Sequence, residues 1–270
     1  MTKLFKYVAI IAITPIFFAC GLNSIELAET IVDDIGVIEE PDVVIEQPEE
    51  TIEEPEDIVE EPESDDTSET IHYLAELPSI DDLPLDTHYV EVNDNIPNFT
   101  NEELEVTEPF FTHDPLDHLG RVGVANALLD VELMPAEERG SISHIKPTGW
   151  NQEKYDIVSG GWLYNRSHLI GHQLTGYDGK DNLITGTRQF NVDGMLPFEN
   201  FIASVVEDTQ MQVRYRVTPI FEGDNLLAHG ITMEGFSIDD NGETLSFNIF
   251  VPNQQDGVIL DYATGGSTLQ

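Results

Sequence analysis

The chain has 270 residues, of which 52 are acidic and 11 are basic, giving a formal net charge of −41 at pH 7. This imbalance excludes a single ordinary fold with its charges spread evenly over the surface. Residues 1–109 hold 30 Asp and Glu against Lys3 and Lys6, whereas residues 110–270 hold 22 against nine basic residues. Two physically different segments therefore share the chain. With Cys20 as the single cysteine, no disulfide can form within it.

The first residues are typical of an export signal. Lys3 and Lys6 precede an apolar run that ends at Phe18, which is shorter than the ~20 residues of a spanning helix. The run leads into Ala19-Cys20-Gly21, which resembles the lipobox of bacterial lipoproteins. We predict a lipoprotein-type signal peptide over residues 1–19 and diacylation of Cys20, which would anchor the protein on the outer face of the bacterial cell membrane. An uncleaved anchor and an ordinary secretory signal stay open as alternatives.

Residues 20–76 are predicted to be a disordered, acidic linker rich in Pro and Glu. Units such as Glu39-Glu40-Pro41 repel one another and bury too little apolar surface to offset the entropy of ordering. A flexible coil of about fifty residues has a reach of about 40 Å, enough to hold a folded domain clear of a membrane. The alternative is that the acidic arm mimics DNA in a basic groove. Residues 77–109 are a more apolar transition segment with undetermined packing.

From residue 110 to residue 270 the sequence is that of a globular domain. Apolar residues at helical spacing after Pro197 predict a helix over residues 199–210. Alternating apolar and polar residues predict a strand over 211–221, and two more strands are predicted over 226–238 and 245–251. Asn-Gly at positions 241 and 242 favours a tight turn between the last two strands. The carboxyl-terminal part is therefore predicted to be mostly antiparallel sheet.

The side chains with the most chemical potential lie between Trp162 and Asn200. Arg166 offers a forked donor for phosphate oxygens, and His168 can accept a proton from water near neutral pH. The amide oxygens of Asn182 and Asn191 can hold a hard cation. Taken alone, an Arg-x-His followed by asparagines is a weak signal.

The arrangement resembles a known family. Asn165-Arg166-Ser167-His168 followed by Asn191 is similar to the Asp-Arg-Gly-His and Asn signature of the DNA/RNA non-specific endonucleases of the ββα-metal (His-Me finger) class, and most of all to secreted streptococcal DNases. The likeness covers about the last 150 residues. It is carried by four further segments, at residues 121–129, 147–150, 213–219 and 261–265. The resemblance implies an α+β, ββα-metal fold with a central antiparallel sheet, preceded by the disordered acidic tether.

The resemblance also implies roles for five residues. His168 becomes the general base that activates water, and Asn191 the direct protein ligand of Mg²⁺, with Mn²⁺ as a substitute. Glu199 hydrogen-bonds metal-bound water. Asn182 supports the metal site or the phosphate, and Arg166 stabilises the phosphate in the transition state. Such a site suits magnesium, which keeps most of its water and takes few protein ligands.

Two departures and one extra histidine need separate comment. Asn165 replaces an aspartate that is a candidate orienting partner for the histidine, and Ser167 replaces a glycine, so we expect activity with an altered pH dependence. His172 follows His168 by four residues, the spacing of a zinc pair on a helix. Gly171 between them and the missing glutamate of a zinc-protease motif favour a packing or supporting role for His172. The other histidines that we singled out belong to no visible constellation: His113, His118, His144 and His229.

A net charge of −13 over residues 110–270 disfavours binding of a polyanionic partner. A local basic cluster around the motif would resolve this conflict, and we expect one from Arg166, Lys180, Arg188, Arg214 and Arg216. For Arg214 and Arg216 the alternatives are contact with the DNA backbone and a solvated strand face. Binding should be weak, salt-sensitive and without sequence preference.

Two hypotheses of different classes follow. The first is a Mg²⁺-dependent endonuclease acting on DNA outside the cytoplasm, with RNA as an open second substrate and the membrane contacted through Cys20. The second is a surface lipoprotein with a nuclease-like fold that acts as a nucleic-acid-binding or adhesion module. The simultaneous presence of His168, Asn182, Asn191 and Glu199 favours the enzyme, since a binding module needs none of them.

Overall fold

The computed structural model describes residues 77–137 and 139–270. The predicted signal peptide over residues 1–19, Cys20 and the predicted linker over residues 20–76 lie outside these residues. Within the described ranges, no helix is both long enough and apolar enough to cross a membrane.

The described part of the chain has a mixed α+β fold. Its strands are β1 (Val90–Glu91), β2 (Phe110–His113), β3 (Ala125–Leu129), β4 (Tyr164–His168), β5 (Leu183–Thr187), β6 (Val213–Ile220), β7 (Gly230–Ser237), β8 (Ser246–Pro252), β9 (Val258–Asp261) and β10 (Gly266–Leu269). Its α-helices are α1 (Asn101–Leu104), α2 (His172–Thr175) and α3 (Leu196–Thr209). A π-helix at Phe190–Met195 leads directly into α3. Single 3-10 turns are found at Ile80–Asp82, Asn93–Asn95, Val131–Leu133 and Lys180–Asn182.

A central antiparallel sheet organises these elements. In the described residues its six strands follow the order β1-β8-β7-β6-β3-β2, and every pair is antiparallel. The strand predicted over 211–221 is present as β6, and the one predicted over 245–251 as β8. The strand predicted over 226–238 begins only at Gly230. Its first residues differ because the Leu226 and Leu227 backbone N–H groups donate to Ala263 and Tyr262 instead of to a neighbouring strand of the sheet.

Helix α3 covers one face of this sheet. The predicted apolar positions Ile202, Val205 and Val206 are buried and join Tyr215 of β6 in the main hydrophobic core. Burying side chains of this size contributes roughly 1.5–3 kcal/mol each, so the helix is held mainly by this contact. Pro197 lies in the first turn, where its missing N–H costs no helical hydrogen bond. The helix predicted over residues 199–210 is confirmed.

Strands β4 and β5 form a separate antiparallel hairpin beside the main sheet. The register pairs Tyr164 with Thr187 and His168 with Leu183. Because the π-helix and α3 follow β5 directly, the order is strand, strand, helix, which is the ββα arrangement expected from the resemblance. This unit places the end of β4 beside the start of α3.

The opposite face of the sheet is contacted by residues 98–103 of the segment before residue 110. Thr100 caps α1 in a capping box with Glu103. The same Glu103 carboxylate pairs with Arg214 at 3.3 Å and Arg216 at 2.9 Å. Arg216 also pairs with Glu234 of β7 at 2.8 Å. The predicted transition segment therefore packs on the sheet through partly buried ion pairs.

This cover corrects the expectation for Arg214 and Arg216. Arg214 is only 4% exposed, so neither a solvated face nor a contact with the DNA backbone describes it. Both guanidinium groups also lie against the ring of Phe99. The alternation of β6 was predicted correctly, but its polar face is buried because two carboxylates neutralise the arginines there.

Candidate active site

A cleft of about 910 Å³ opens beside the β4–β5 hairpin, near the upper end of the range for small-ligand pockets. His168 enters it from the end of β4, Asn191 from the π-helix and Glu199 from the first turn of α3. Arg166 of β4 also lines it. The structure therefore brings four of the five predicted chain positions to one cleft, and leaves out Asn182.

His168 is held in one orientation by a carboxylate. Its side chain is 7% exposed, and its Nε2 lies 2.7 Å from Oδ1 of Asp178. With Nε2–H donating to Asp178, Nδ1 carries the lone pair, and in the described part of the chain only Nε2 of this ring makes a side-chain hydrogen bond. Burial lowers the pKa of His168 and outweighs the hydrogen bond to Asp178, which raises it. The imidazole is thus neutral near pH 7 and able to accept a proton.

The sequence motif does not identify Asp178 as a residue of the site. It also accepts a hydrogen bond from His172 Nδ1 at 3.1 Å, and Arg139 Nε lies 3.8 Å away. Burial raises the pKa of Asp178, but the hydrogen bonds from the two histidines outweigh burial and lower it, so the carboxylate is ionised. Asp178 lies ten residues after His168 in a loop, and no periodic pattern marks it. Its role is visible only once that loop is folded.

The expected effect of Asn165 therefore changes. Asn165 lines the cleft but makes no hydrogen bond to His168 among the described residues. Residues three apart on a strand point to opposite faces, which explains why it does not reach the imidazole. The orienting carboxylate is supplied by Asp178 instead.

Glu199 and Asn191 supply oxygen atoms without protein partners. Glu199 is buried, and burial raises its pKa to about 8, against the opposing effect of Arg139. Neither side chain makes a hydrogen bond or ion pair within residues 77–137 and 139–270. A buried carboxylate without a cation is costly, and an amide and a carboxylate oxygen suit a hard divalent cation such as Mg²⁺. The residues present fit the metal that the resemblance implies.

Asn182 does not line the cleft, and its side chain hydrogen-bonds the backbone of the neighbouring loop. It is fully buried, and its Oδ1 accepts from Ile170 N–H while its Nδ2 donates to Ile170 O, both at 2.9 Å. Nδ2 also donates to Tyr177 O at 3.0 Å. These bonds fix the turn that follows His168. The supporting role expected for Asn182 stays a prediction, and these bonds to the chain next to His168 are the way in which it would act.

The Arg166 guanidinium is hydrogen-bonded to residues in the wall of the cleft. Its Nε donates to Ile145 O, its Nη2 donates to Ser143 O at 2.7 Å, and the guanidinium stacks on Trp150 at 4.1 Å. The Nε and Nη2 groups of Arg166, which was predicted to bind phosphate, thus hold the loop that contains Ser143 and Ile145. Nη1 has no protein partner in the part of the chain that the structure describes.

The basic cluster expected around the motif is only partly present. Arg166 and Arg188 line the cleft, but Lys180 does not, and Arg214 and Arg216 are paired with carboxylates on the sheet, where Arg214 is buried and Arg216 is half-buried. Arg139, which the sequence interpretation did not single out, lines the cleft instead. It comes from a loop rather than from the motif, so only the folded chain places it there.

Two tryptophans complete the cleft. Trp150 lies under Arg166, whereas Trp162 is 50% exposed and has Lys154 Nζ at 4.1 Å from its ring centroid. Exposed aromatic rings beside cations are suited to stacking on nucleobases.

Comparisons with known proteins agree with this geometry. A family model described as DNA/RNA non-specific endonuclease matches residues 100–238. A protein named "Deoxyribonuclease" from Streptococcus dysgalactiae subsp. equisimilis is 30% identical over 109 residues, which are 38% of this chain and 32% of that protein. The chain therefore spans about a third of the length of this curated relative.

Solved structures extend the likeness over more of the chain. NucA from Streptococcus agalactiae with no metal bound is 26% identical, with a TM-score of 0.62 over 77% of this chain and 98% of NucA. NucA with a magnesium ion bound gives a TM-score of 0.60 at 26% identity, over 76% of this chain and 95% of NucA. With the family model matching more than half of its residues, the chain belongs to the DNA/RNA non-specific endonuclease family.

Proposed function

We propose that the chain is a Mg²⁺-dependent, sequence-non-specific endonuclease that hydrolyses DNA phosphodiester bonds outside the cytoplasm, with RNA as a second substrate to be tested. One observation carries the proposal: a single cleft joins an oriented, neutral His168 to the unpartnered oxygens of Asn191 and Glu199. A module that only binds nucleic acid requires neither the oriented base nor the buried acid. The streptococcal "Deoxyribonuclease" and NucA with magnesium support the substrate and the metal.

In the proposed reaction His168 Nδ1 accepts a proton from the attacking water. Asp178 keeps Nε2 protonated and stabilises the imidazolium that forms, as a carboxylate does in other histidine-based sites. The water oxygen forms a bond to phosphorus while the bond to the 3′ oxygen breaks, and that oxygen takes up a proton from solvent, leaving a 5′-phosphate and a 3′-hydroxyl. Mg²⁺ bound in the cleft would supply positive charge that stabilises the charge developing in the transition state. Asn191 would hold the ion directly and Glu199 through its water.

Substrate binding falls to the rim of the cleft. Arg139 and Arg188 bring positive charge to it, and Arg166 adds its free Nη1. Trp162 offers a ring for base stacking. Because few cations oppose a domain charge of −13, binding should be weak and should weaken further with salt.

We further propose that the enzyme is a lipoprotein. Residues 1–19 would be removed as the signal, Cys20 would be diacylated, and residues 20–76 would form the tether to the nuclease domain over residues 110–270, with residues 77–109 packed against it. Labelling with a fatty-acid analogue should mark the wild type, and Cys20→Ser should release the protein into the medium. An unlabelled wild type would contradict the anchor.

The central test is digestion of plasmid DNA and of RNA by the full chain. We expect cutting with Mg²⁺, none with EDTA, and a loss of about 10²–10⁴-fold in His168→Ala, the usual contribution of a general base. His118→Ala is the matched control, since His118 is exposed and does not line the cleft. Full activity of His168→Ala would remove the proposed base. Retention of DNA without cleavage under every divalent metal would favour the binding module.

A further inference from the structure

We propose that His168, His172 and Asp178 form a second metal site, selective for a tetrahedral transition metal such as Zn²⁺, and that filling this site switches the nuclease off. The site shares no residue with the magnesium position proposed at Asn191 and Glu199. The proposal that these residues bind a metal depends only on the geometry of the three side chains. The proposal that the bound metal inhibits cleavage rests on the proposed function.

The three ligand atoms already converge. Asp178 Oδ1 lies 2.7 Å from His168 Nε2 and 3.1 Å from His172 Nδ1, and all three atoms lie within 4.8 Å of one another. Zinc bonds of about 2.0–2.2 Å in a tetrahedron place ligand atoms roughly 3.3–3.6 Å apart. The required side-chain shifts are therefore small.

The donor set selects the metal. Two imidazole nitrogens and one carboxylate oxygen suit zinc or cobalt, whereas magnesium prefers oxygen ligands and keeps its water. Three protein ligands leave a fourth position for water or a phosphate oxygen. The same cleft thus offers an oxygen-rich position at Asn191 and Glu199 and a nitrogen-rich position at the histidine pair.

The two histidines do not form the helical pair that their spacing would predict. His168 ends β4 and His172 begins α2, so the chain turns between them. Leu169 and Ile170 in this turn are fully buried, and Asn182 holds Ile170 by two hydrogen bonds. The ligands are therefore preorganised on a fixed turn, which limits the ordering cost of binding a metal.

An ion can reach the site, and the arginine that pairs with Asp178 can withdraw. Beside Asp178 and His172 lies a hollow whose wall includes Pro135, Ala136 and Gly140. Arg139 Nε is 3.8 Å from the Asp178 carboxylate, but its side chain is 43% exposed and can turn into solvent. A cation arriving through the hollow would take over the ion pair that Arg139 now makes.

Metal binding would inactivate His168 as a base by changing which of its ring nitrogens carries the proton. A metal on Nε2 displaces the proton from that nitrogen, and the neutral imidazole then carries its proton on Nδ1. Nδ1 no longer has a lone pair to accept the proton of water. Since Mg²⁺ would be held by different residues, excess Mg²⁺ should not relieve the inhibition.

The test uses the full chain and two metals. Cobalt(II) should give the intense visible absorption of tetrahedral coordination in the wild type, and this band should be lost in His172→Gln. Zinc should inhibit DNA cleavage in Mg²⁺, and the inhibiting zinc concentration should rise tenfold or more in His172→Gln, measured against its own zinc-free rate. His118→Gln, which removes an exposed histidine, should behave as the wild type in both measurements. Asp178→Asn is a second variant that should also lose the cobalt band.

Several results would overturn the proposal. They are a cobalt spectrum shared by wild type and His172→Gln, equal zinc sensitivity of the two proteins, and full recovery of the rate with excess Mg²⁺. If the wild type shows no cleavage in Mg²⁺ alone, the proposed function fails, and the cobalt spectrum still decides whether the metal site exists.

Discussion

Replacing Asp178 with asparagine keeps the size of the side chain but removes the charge that faces His168 Nε2 at 2.7 Å. A hydrogen bond to a charged group contributes about 1.5–3 kcal/mol, and the 23% exposure of Asp178 favours the lower half of that range. Since about 1.4 kcal/mol corresponds to a factor of ten, kcat/KM should fall about 10–30-fold.

The same substitution should shift the pH profile. A general base acts only when it is unprotonated, so the rate falls as pH drops below the pKa of His168. Asp178 raises the pKa of His168, and its loss lowers that pKa further. The acidic limb of the profile should therefore move to lower pH while the plateau rate falls.

Initial rates of Mg²⁺-dependent DNA cleavage across pH measure both effects. Asp181→Asn is the matched control, because Asp181 belongs to the same loop but hydrogen-bonds Tyr177 at 2.8 Å. A wild-type rate with an unmoved acidic limb in Asp178→Asn would refute the orienting role of this carboxylate.

Two further predictions concern buried charge. Arg216→Met leaves Glu234, which is 2% exposed, without its ion-pair partner at 2.8 Å. The free energy of unfolding measured in urea should fall by about 3–5 kcal/mol, while the affinity for DNA stays unchanged. A variant with full stability and reduced affinity for DNA would show instead that Arg216 contacts DNA. Burial raises the pKa of Glu199 from 4.5 to about 8, so native protein without metal holds a proton that the unfolded chain releases, and its stability should fall as pH rises between those values. Melting temperatures in EDTA should show this fall, Mg²⁺ should reverse it near pH 8, and Glu199→Gln should flatten it; a flat wild-type curve would speak against the buried, unpartnered acid.

Local patterns in the sequence were sufficient where contacts are local. The spacing of Ile202, Val205 and Val206 predicted α3, because a helix buries residues on one side. His168 and Asn191 were expected in one site, and the short β4–β5 hairpin followed by a helix brings both to the cleft.

Contacts between residues that are far apart in the sequence could not be predicted from local patterns. Alternation on β6 fixed which residues share a face, but Glu103, more than a hundred residues earlier, decides that the face with Arg214 is buried. Asp178 and Arg139 come from loops, whose positions depend on the packing around them rather than on periodicity. A motif likewise identifies Asn182 without showing that Ile170 occupies its amide.

The arginine of the motif links the chemistry to the shape of its surroundings. Arg166 belongs to the strand that carries His168, yet it grips the carbonyl groups of Ser143 and Ile145 and lies flat on Trp150. Removing it would loosen the wall of the cleft as well as deleting a positive charge. An inactive Arg166 variant would thus have two defects at once, and lysine, which cannot reproduce the flat two-pronged grip, would restore only the charge.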